Sequence, residues 1–338
     1  MISHTGVLKE ERATPNIEGD ALQNHLCPCC NAQNVTDWME IPDRFQNGTG
    51  PYELLHCASC QHVWLGNAPT PDEMSYFYGP QYHRAVGGTG EISTGRWKRQ
   101  LGVIQQYKSG GHILDIGCSS GGLLASIKGA SWELNGVEAS LPTAERARAI
   151  TCGNIVAGDV MDAVFPPCSM DVVTCSDVLE HLYEPQEVLR RISTWLKPGG
   201  IFYVFVPNIL SWEARAFRSY WYGLDLPRHL HHFSIKSLSS LAESANLRKV
   251  RMVTPPGCYL EHSTCIWLDS VLRQAGLRHT TEPLDLTGDG AFAWRALRKG
   301  IRLSIEALYS KVASVCGSGP SIQAVFRKDD GPELVGGA

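Results

Sequence analysis

Ile113-Leu-Asp-Ile-Gly117-Cys-Ser-Ser-Gly121-Gly122 is an apolar run that breaks into small residues, the pattern of a strand entering a tight turn that opens a helix. Glycine lets backbone approach a ligand closely, and a helix N-terminus offers free N–H groups. Asp115 stands just before the first glycine. It would repel a phosphate there, and it suits a ligand bearing an ammonium or sulfonium charge. Outward from this stretch, short apolar strands alternate with helices. Strands read as His112–Ile116, Glu133–Val137, Asn154–Val156, Met170–Cys175 and Gly200–Val206, followed later by Arg248–Val253 and Ser321–Phe326. Helices read as Leu123–Lys128, Leu141–Ile150, Glu187–Leu196, Ile235–Ala245, His262–Gln274 and Phe292–Val315. That alternation predicts an α/β fold with a doubly wound, mostly parallel sheet.

Two further acids fall at strand ends. Glu138 lies 23 residues beyond Asp115 and can accept both hydroxyls of a ribose; Asp159 is placed to accept from an adenine amino group. Leu114-Asp-Ile-Gly-Cys-Ser-Ser-Gly121, Gly136-Val-Glu138, Gly158-Asp-Val160, Val172-Val-Thr-Cys-Ser-Asp-Val-Leu-Glu-His181 and Leu196-Lys-Pro-Gly-Gly200 come in that order. On these motifs, roughly residues 95–327 resemble the class I S-adenosylmethionine-dependent methyltransferases. The resemblance implies a Rossmann-like sheet. It also implies cofactor contacts from Asp115, Gly117, Ser119, Gly121, Glu138, Asp159, Val160 and Ser176. Ser119 departs from the family, which usually has glycine there. A nicotinamide dehydrogenase is the nearer rival, since Gly117-x-Ser119-x-x-Gly122 half-matches the dinucleotide fingerprint. Asp115 beside the would-be pyrophosphate counts against it.

Cys27-Pro-Cys-Cys30 and Cys57-Ala-Ser-Cys60 are two C-x-x-C pairs separated by 26 residues. Two such turns complete a tetrahedral structural Zn²⁺ site, so Cys27, Cys30, Cys57 and Cys60 are the expected ligands and Cys29 is spare. Zinc ribbons often touch nucleic acid. Residues 20–66, however, hold Asp20, Asp37, Glu40, Asp43 and Glu53 against Arg44 alone. A phosphate-binding face is not expected there. The arrangement is similar to small-molecule methyltransferases with an N-terminal zinc ribbon from sugar and natural-product pathways. Ribosomal-RNA methyltransferases with zinc ribbons, and a non-catalytic zinc-binding interaction protein, are the alternatives.

Methyl transfer to a hydroxyl needs a base, and two groups of histidines follow strands whose ends would line an acceptor pocket. Ser176-Asp-Val-Leu-Glu-His181 would put Asp177, Glu180 and His181 on one face if it opens a helix. The run resembles one in ubiquinone-pathway O-methyltransferases, which implies acid–base work or a Mg²⁺ site at Asp177, Glu180 and His181. The alternative is a helix cap at Asp177. Asp225-Leu-Pro-Arg-His-Leu-His-His-Phe-Ser234 follows Trp212, Tyr220, Trp221 and Tyr222. There His229, His231 and His232, with Arg228, would meet an anionic or hydroxylated acceptor. The expected catalytic residues are His181, His229 and His232. Tyr76, Tyr78 and Tyr82 are expected to pack the ribbon onto the second part, and Phe292–Val315 to pack in the core or in a homodimer.

Composition bounds the rest. The chain has 338 residues, 43% hydrophobic and 19% charged, with net charge −4 and 12 cysteines. Those values exclude a wholly disordered chain and a polycation. The longest apolar run, Ile201–Pro207, is too short to span a bilayer, and no signal peptide is visible, so a cytoplasmic protein without a membrane anchor is expected. The expected organisation is a flexible tail at 1–20, a zinc ribbon at 21–66, a linker with a short helix at 67–94, and a methyltransferase domain at 95–338 with a helical insertion at about 255–318. The acceptor is expected to be a small hydroxylated molecule: a sugar, a sugar nucleotide or a natural-product intermediate.

Overall fold

The computed structural model describes residues 26–42, 50–78, 94–129, 131–257, 259–277 and 307–329. The expectations for the tail at 1–20, Tyr82, and the stretch 292–306 lie outside these residues.

Two sheets organise the chain. The first begins with β1 (Val35–Ile41), β2 (Tyr52–Cys57) and β3 (Val63–Leu65), all antiparallel. The short helix α1 (Pro71–Met74) follows, capped by Thr70 and Glu73, and a single 3-10 turn covers Ser75–Tyr78. Next come α2 (Thr94–Ile104), β4 (Gly111–Ile116), α3 (Gly122–Ala125), β5 (Trp132–Glu138), α4 (Leu141–Thr151), β6 (Asn154–Ala157) and β7 (Met170–Ser176). The second half runs through α5 (Pro185–Trp195), β8 (Leu196–Pro207), α6 (Trp212–Phe217), β9 (His231–His232), α7 (Ile235–Ser244), β10 (Leu247–Val253), α8 (Tyr259–Gln274), α9 (Ala307–Val315) and β11 (Ser321–Lys328).

The large sheet has the order β10-β11-β8-β7-β4-β5-β6. Its five strands from β8 to β6 are parallel, and β11 runs antiparallel between β8 and β10. A parallel sheet must be covered on both faces, and the strand residues divide by alternation as that requires. Leu114, Ile116, Val173, Cys175, Phe202 and Val204 point to the face covered by Val188, Leu189 and Ile192 of α5 and by Leu238 and Leu241 of α7. Ile113, Val172, Ile201 and Tyr203 point to the other face, under Leu101 and Ile104 of α2, Leu123 and Leu124 of α3, and Ala144 and Ala147 of α4. Because β5 and β7 both flank β4, the strand order reverses at β4. The C-terminal ends of β4 and β7 therefore border the crevice where such sheets take ligands.

One expectation is corrected. The stretch after β7 does not open a helix: only Leu179–His181 form a 3-10 turn, and Asp177 is left-handed at φ 52°. The Asp177 N–H donates to Phe205 O on β8 (2.9 Å). The helix starts only at Pro185, whose fixed φ and missing N–H suit a first turn. Asp177, Glu180 and His181 thus share no helical face. The small sheet takes its fourth strand from beyond residue 66. Its order is β1-β2-β3-β9, with Val63 opposite His232 and Trp64 opposite His231.

Candidate active site

The Gly-rich turn leaves β4 and is pinned to β5: the N–H groups of Gly117 and Cys118 both donate to Val137 O, at 2.8 and 3.0 Å. Gly117 has φ +68°, and a Cβ built there would collide with Val178. Ser119, at φ 49°, takes a left-handed conformation that glycine would take more cheaply. Its N–H donates to Glu138 Oε2 (3.0 Å), and the Ser140 N–H donates to Oε1 (3.0 Å). The turn and the acid ending β5 are thereby held side by side. Asp159 accepts from the Met161 N–H (2.7 Å), and Val160 is buried behind it. Ser176 closes β7 with a buried hydroxyl that has no hydrogen-bond partner among the described residues.

Asp115 is buried and accepts from Thr174 Oγ1 on the neighbouring strand (2.6 Å). Burial pushes its carboxyl up to about 7, against the pull of the Thr174 hydrogen bond and the Arg96 charge. Arg96, from α2, pairs with Asp177 and lies over the rings of Trp97 and Phe205. Sequence reasoning missed Arg96, because nothing local to residue 96 announces a partner 81 positions away.

Beyond β7, the structure brings together Glu180, His181 and His229. One potential ligand atom from each lies within 4.8 Å of the others, and the two rings meet edge to face at 4.6 Å between centroids. His181 Nδ1 is 2.9 Å from Arg228 O and 3.1 Å from Tyr78 Oη; His229 Nδ1 is 2.9 Å from Gly223 O. A carbonyl only accepts, so both Nδ1 atoms carry the hydrogen and both Nε2 atoms keep a lone pair. Burial, then the neighbouring His229, drives His181 down to about 3; burial also lowers His229, against Asp225. Both rings are neutral near pH 7. Glu180 is fully buried, and neither carboxylate oxygen has a hydrogen-bond partner among the described residues. Burial first, and the Asp177 charge next, raise it well above the carboxylate range.

The remaining expected residues separate. Arg228 is fully buried, donating to Asp225 Oδ1 (2.9 Å) and Leu226 O (3.0 Å), so it clasps its own loop rather than meeting an anionic acceptor. Asp225, although buried, is held below the usual range by Arg228 and His229. His231 sits 3.1 Å from His62 Nε2 through its Nδ1. His232 is 1% exposed on β9, with neither ring nitrogen partnered among the described residues. It therefore lies in the seam with the small sheet, its ring 6.3 Å from that of His229. Tyr222 stacks near His262 (4.6 Å) and packs against Tyr259, while Trp221 is buried.

The four paired cysteines converge. All four Sγ atoms lie within 4.8 Å of one another, with Cys27–Cys60 at 3.5 Å and Cys30–Cys57 at 3.7 Å. Four thiolates about 2.3 Å from a tetrahedral Zn²⁺ would stand roughly 3.8 Å apart, so this donor set fits zinc. The two turns are built alike: the Asn31 N–H donates to Cys27 O and the Gln61 N–H to Cys57 O, each with a left-handed residue at its end. Cys29 is buried outside the foursome.

Residues 95–252 match the family model described as a methyltransferase domain. Among curated relatives, the ubiquinone biosynthesis O-methyltransferase of Ralstonia nicotianae is 30% identical over 161 residues, 43% of this chain and 66% of that protein. The enzyme of the same name from Idiomarina loihiensis is 31% identical over 126 residues, 33% of this chain and 51% of that one. The chain thus spans about half to just under two thirds of these relatives. Similar solved structures include a SAM-dependent methyltransferase from Archaeoglobus fulgidus (18% identity, TM-score 0.47, covering 71% of this chain and 95% of that one). Another is Haemonchus contortus phosphoethanolamine N-methyltransferase 2 in complex with S-adenosyl-L-methionine (19%, TM-score 0.48, 79% and 63%). Residues 95–252 thus carry the match to a methyltransferase domain, on a mostly parallel α/β sheet.

Proposed function

We propose that this chain transfers a methyl group from S-adenosylmethionine to a hydroxyl of a small acceptor, such as a sugar, a sugar nucleotide or a natural-product intermediate. The relatives named for O-methylation in ubiquinone biosynthesis support a small-molecule acceptor. When bound, the cofactor supplies an electrophilic methyl on a sulfonium. Asp115, Gly117, Ser119 and Gly121 receive its methionine end, Glu138 the ribose, and Asp159, Val160 and Ser176 the adenine side. His181 or His229 takes the acceptor's hydroxyl proton at Nε2 as the oxygen–carbon bond forms. Cys27, Cys30, Cys57 and Cys60 hold a structural zinc.

One observation carries the choice of base: two adjacent neutral imidazoles whose Nδ1–H groups are spent on backbone carbonyls, leaving both Nε2 lone pairs. The test is a labelled-cofactor screen over sugar nucleotides, phenols and RNA, followed by His181→Gln and His229→Gln. A lost general base lowers turnover by roughly 10²–10⁴-fold while cofactor affinity holds. Transfer to RNA alone, or full turnover in both variants, overturns the reading.

The unpartnered Glu180 carboxylate favours a second reading, in which the cluster holds a divalent cation. Asp177 is engaged by Arg96, so the set would be Glu180, His181 and His229 rather than the Asp177, Glu180 and His181 expected for Mg²⁺. Two imidazoles suit a transition ion better than Mg²⁺. Metal analysis separates the readings: one ion per chain fits the cysteine site alone, and two require this one.

A further inference from the structure

The N-terminal module and the histidine cluster are joined more tightly than a tethered ribbon requires. Cys60 O accepts from Ser234 Oγ (2.9 Å). Three residues beyond Cys60, β3 begins and pairs with β9, and the Leu65 N–H donates to Leu230 O (2.9 Å). His62 Nε2 meets His231 Nδ1. Arg228 and His229 immediately precede these residues. The same loop then grips the turn after β7: Leu230 N–H donates to Glu180 O (2.8 Å), and Arg228 O accepts from His181.

A second set of ties comes from the segment after the ribbon. Tyr78 Oη reaches His181 Nδ1, Arg228 Nη1 donates to Phe77 O (3.4 Å), and Tyr183 Oη donates to Pro69 O (2.8 Å). The cofactor side is wired differently. Asp115 is held by Thr174, Glu138 by Ser119 and Ser140, and Asp159 by Met161. Each of these partners lies within residues 95–252.

We propose that residues 26–78 are the positioning element of the acceptor half of the site: the metal held by Cys27, Cys30, Cys57 and Cys60 keeps loop 225–234, and through it His181 and His229, in place, and its removal releases that half while the cofactor half stays formed. The inference rests on the zinc and base assignments above. A segment this small cannot build a sufficient core, so its folding is coupled to metal binding. Catalytic geometry tolerates little displacement, about 1 Å costing roughly 10²-fold. Loosening the Cys57–Cys60 turn would therefore reach the imidazoles through Ser234 and the β3–β9 pairing.

The test uses the full chain in three states: zinc-loaded, stripped by a mercurial thiol reagent with chelator, and reloaded with Zn²⁺. In the stripped state, amide exchange across residues 228–234 should speed up by roughly tenfold or more, and S-adenosylmethionine affinity by calorimetry should stay within about twofold. Nitrogen NMR should show His181 leaving its single Nδ1–H tautomer, and Zn²⁺ should restore it. Unchanged protection at 228–234, or cofactor affinity falling together with that protection, overturns the proposal. Failure of the zinc-loaded chain to bind the cofactor would instead sink the methyl-transfer reading. Tyr78→Phe keeps the ring and the metal ligands. It should shift the His181 Nδ1 resonance while Arg228 O still holds the Nδ1–H tautomer, with metal content and cofactor affinity unchanged, and an unaltered His181 signal counts against the proposal.

Discussion

Thr174 governs what Asp115 can do. Its hydroxyl donates to the carboxyl at 2.6 Å, yet burial still pushes Asp115 up to about 7. A ligand ammonium set against it selects the ionised form. Below about pH 7 binding must first expel a proton, whereas above it the carboxylate stands ready. S-Adenosylmethionine should therefore bind roughly tenfold more weakly at pH 6 than at pH 8, as one unit of pKa is a factor of ten in the ionised fraction. Calorimetry at the two pH values checks this, and a flat profile would place the ammonium elsewhere. Thr174→Val removes the donor and should carry the transition to higher pH. Glu138 gives a second expectation. Glu138→Ala removes an acceptor aligned by two backbone N–H groups and should weaken cofactor binding by about 1.5–3 kcal/mol, the scale of hydrogen bonds to charged groups. Unchanged affinity would move the ribose off β5. Both acids were legible in the sequence because each ends an apolar strand. Arg96, Thr174 and Tyr78 were not, since their partners come from strands and turns 59 to 103 positions away.

At the scale of elements, the parallel strands were readable because burial on both faces leaves continuous apolar runs, and the turn after β4 because its glycines answer to backbone needs. Gly117 shows the need most directly. An alanine there must accept a left-handed φ at roughly 1–2 kcal/mol and also displace Val178, an overpacking cost of about 1–3 kcal/mol. Gly117→Ala should therefore destabilise the fold in denaturant by a few kcal/mol. Adding Val178→Ala should recover the overpacking part and leave the backbone part. If the second change recovers nothing, the contact with Val178 is not the cause. Two elements escaped the sequence for physical reasons. A two-residue strand such as β9 is too short to show a period, and its pairing is dictated by β3, with Val63 opposite His232 and Trp64 opposite His231. The turn after β7 reads as helical in composition. Its course is set instead by the hydrogen bond from Asp177 to β8 and by the Arg96 pairing, which are tertiary contacts.

Across the whole molecule, the seam between the two sheets is packed with imidazoles, and this ties stability to pH. Burial drives His181 to about 3 and His231 to about 4, and lowers His229 and His232 as well. The unfolded chain titrates these groups near 6.5, so their contribution is fully present above that value and is lost as pH falls toward their folded values. Glu180 and Asp115 act in the opposite sense, because burial raises both. Folding lets them keep protons that the unfolded chain releases, so they add stability as pH falls. Between pH 6 and 5 the unfolded state therefore takes up protons at these histidines, and at the buried His62 beside His231, that the folded state resists, while the folded state keeps protons at the two acids. The histidines outnumber the acids, so stability should fall with falling pH across this window. His232 isolates the cause, since its ring is buried with neither nitrogen partnered among the described residues. His232→Leu, close in volume, removes one titrating group. It should lower the acid slope, by at most about 1.4 kcal/mol per unit. Chemical denaturation at pH 5, 6 and 7 measures both slopes. Parallel curves for wild type and variant would show that His232 takes up no proton on unfolding, and the acid sensitivity would then have to come from the other buried rings, His62, His181, His229 and His231.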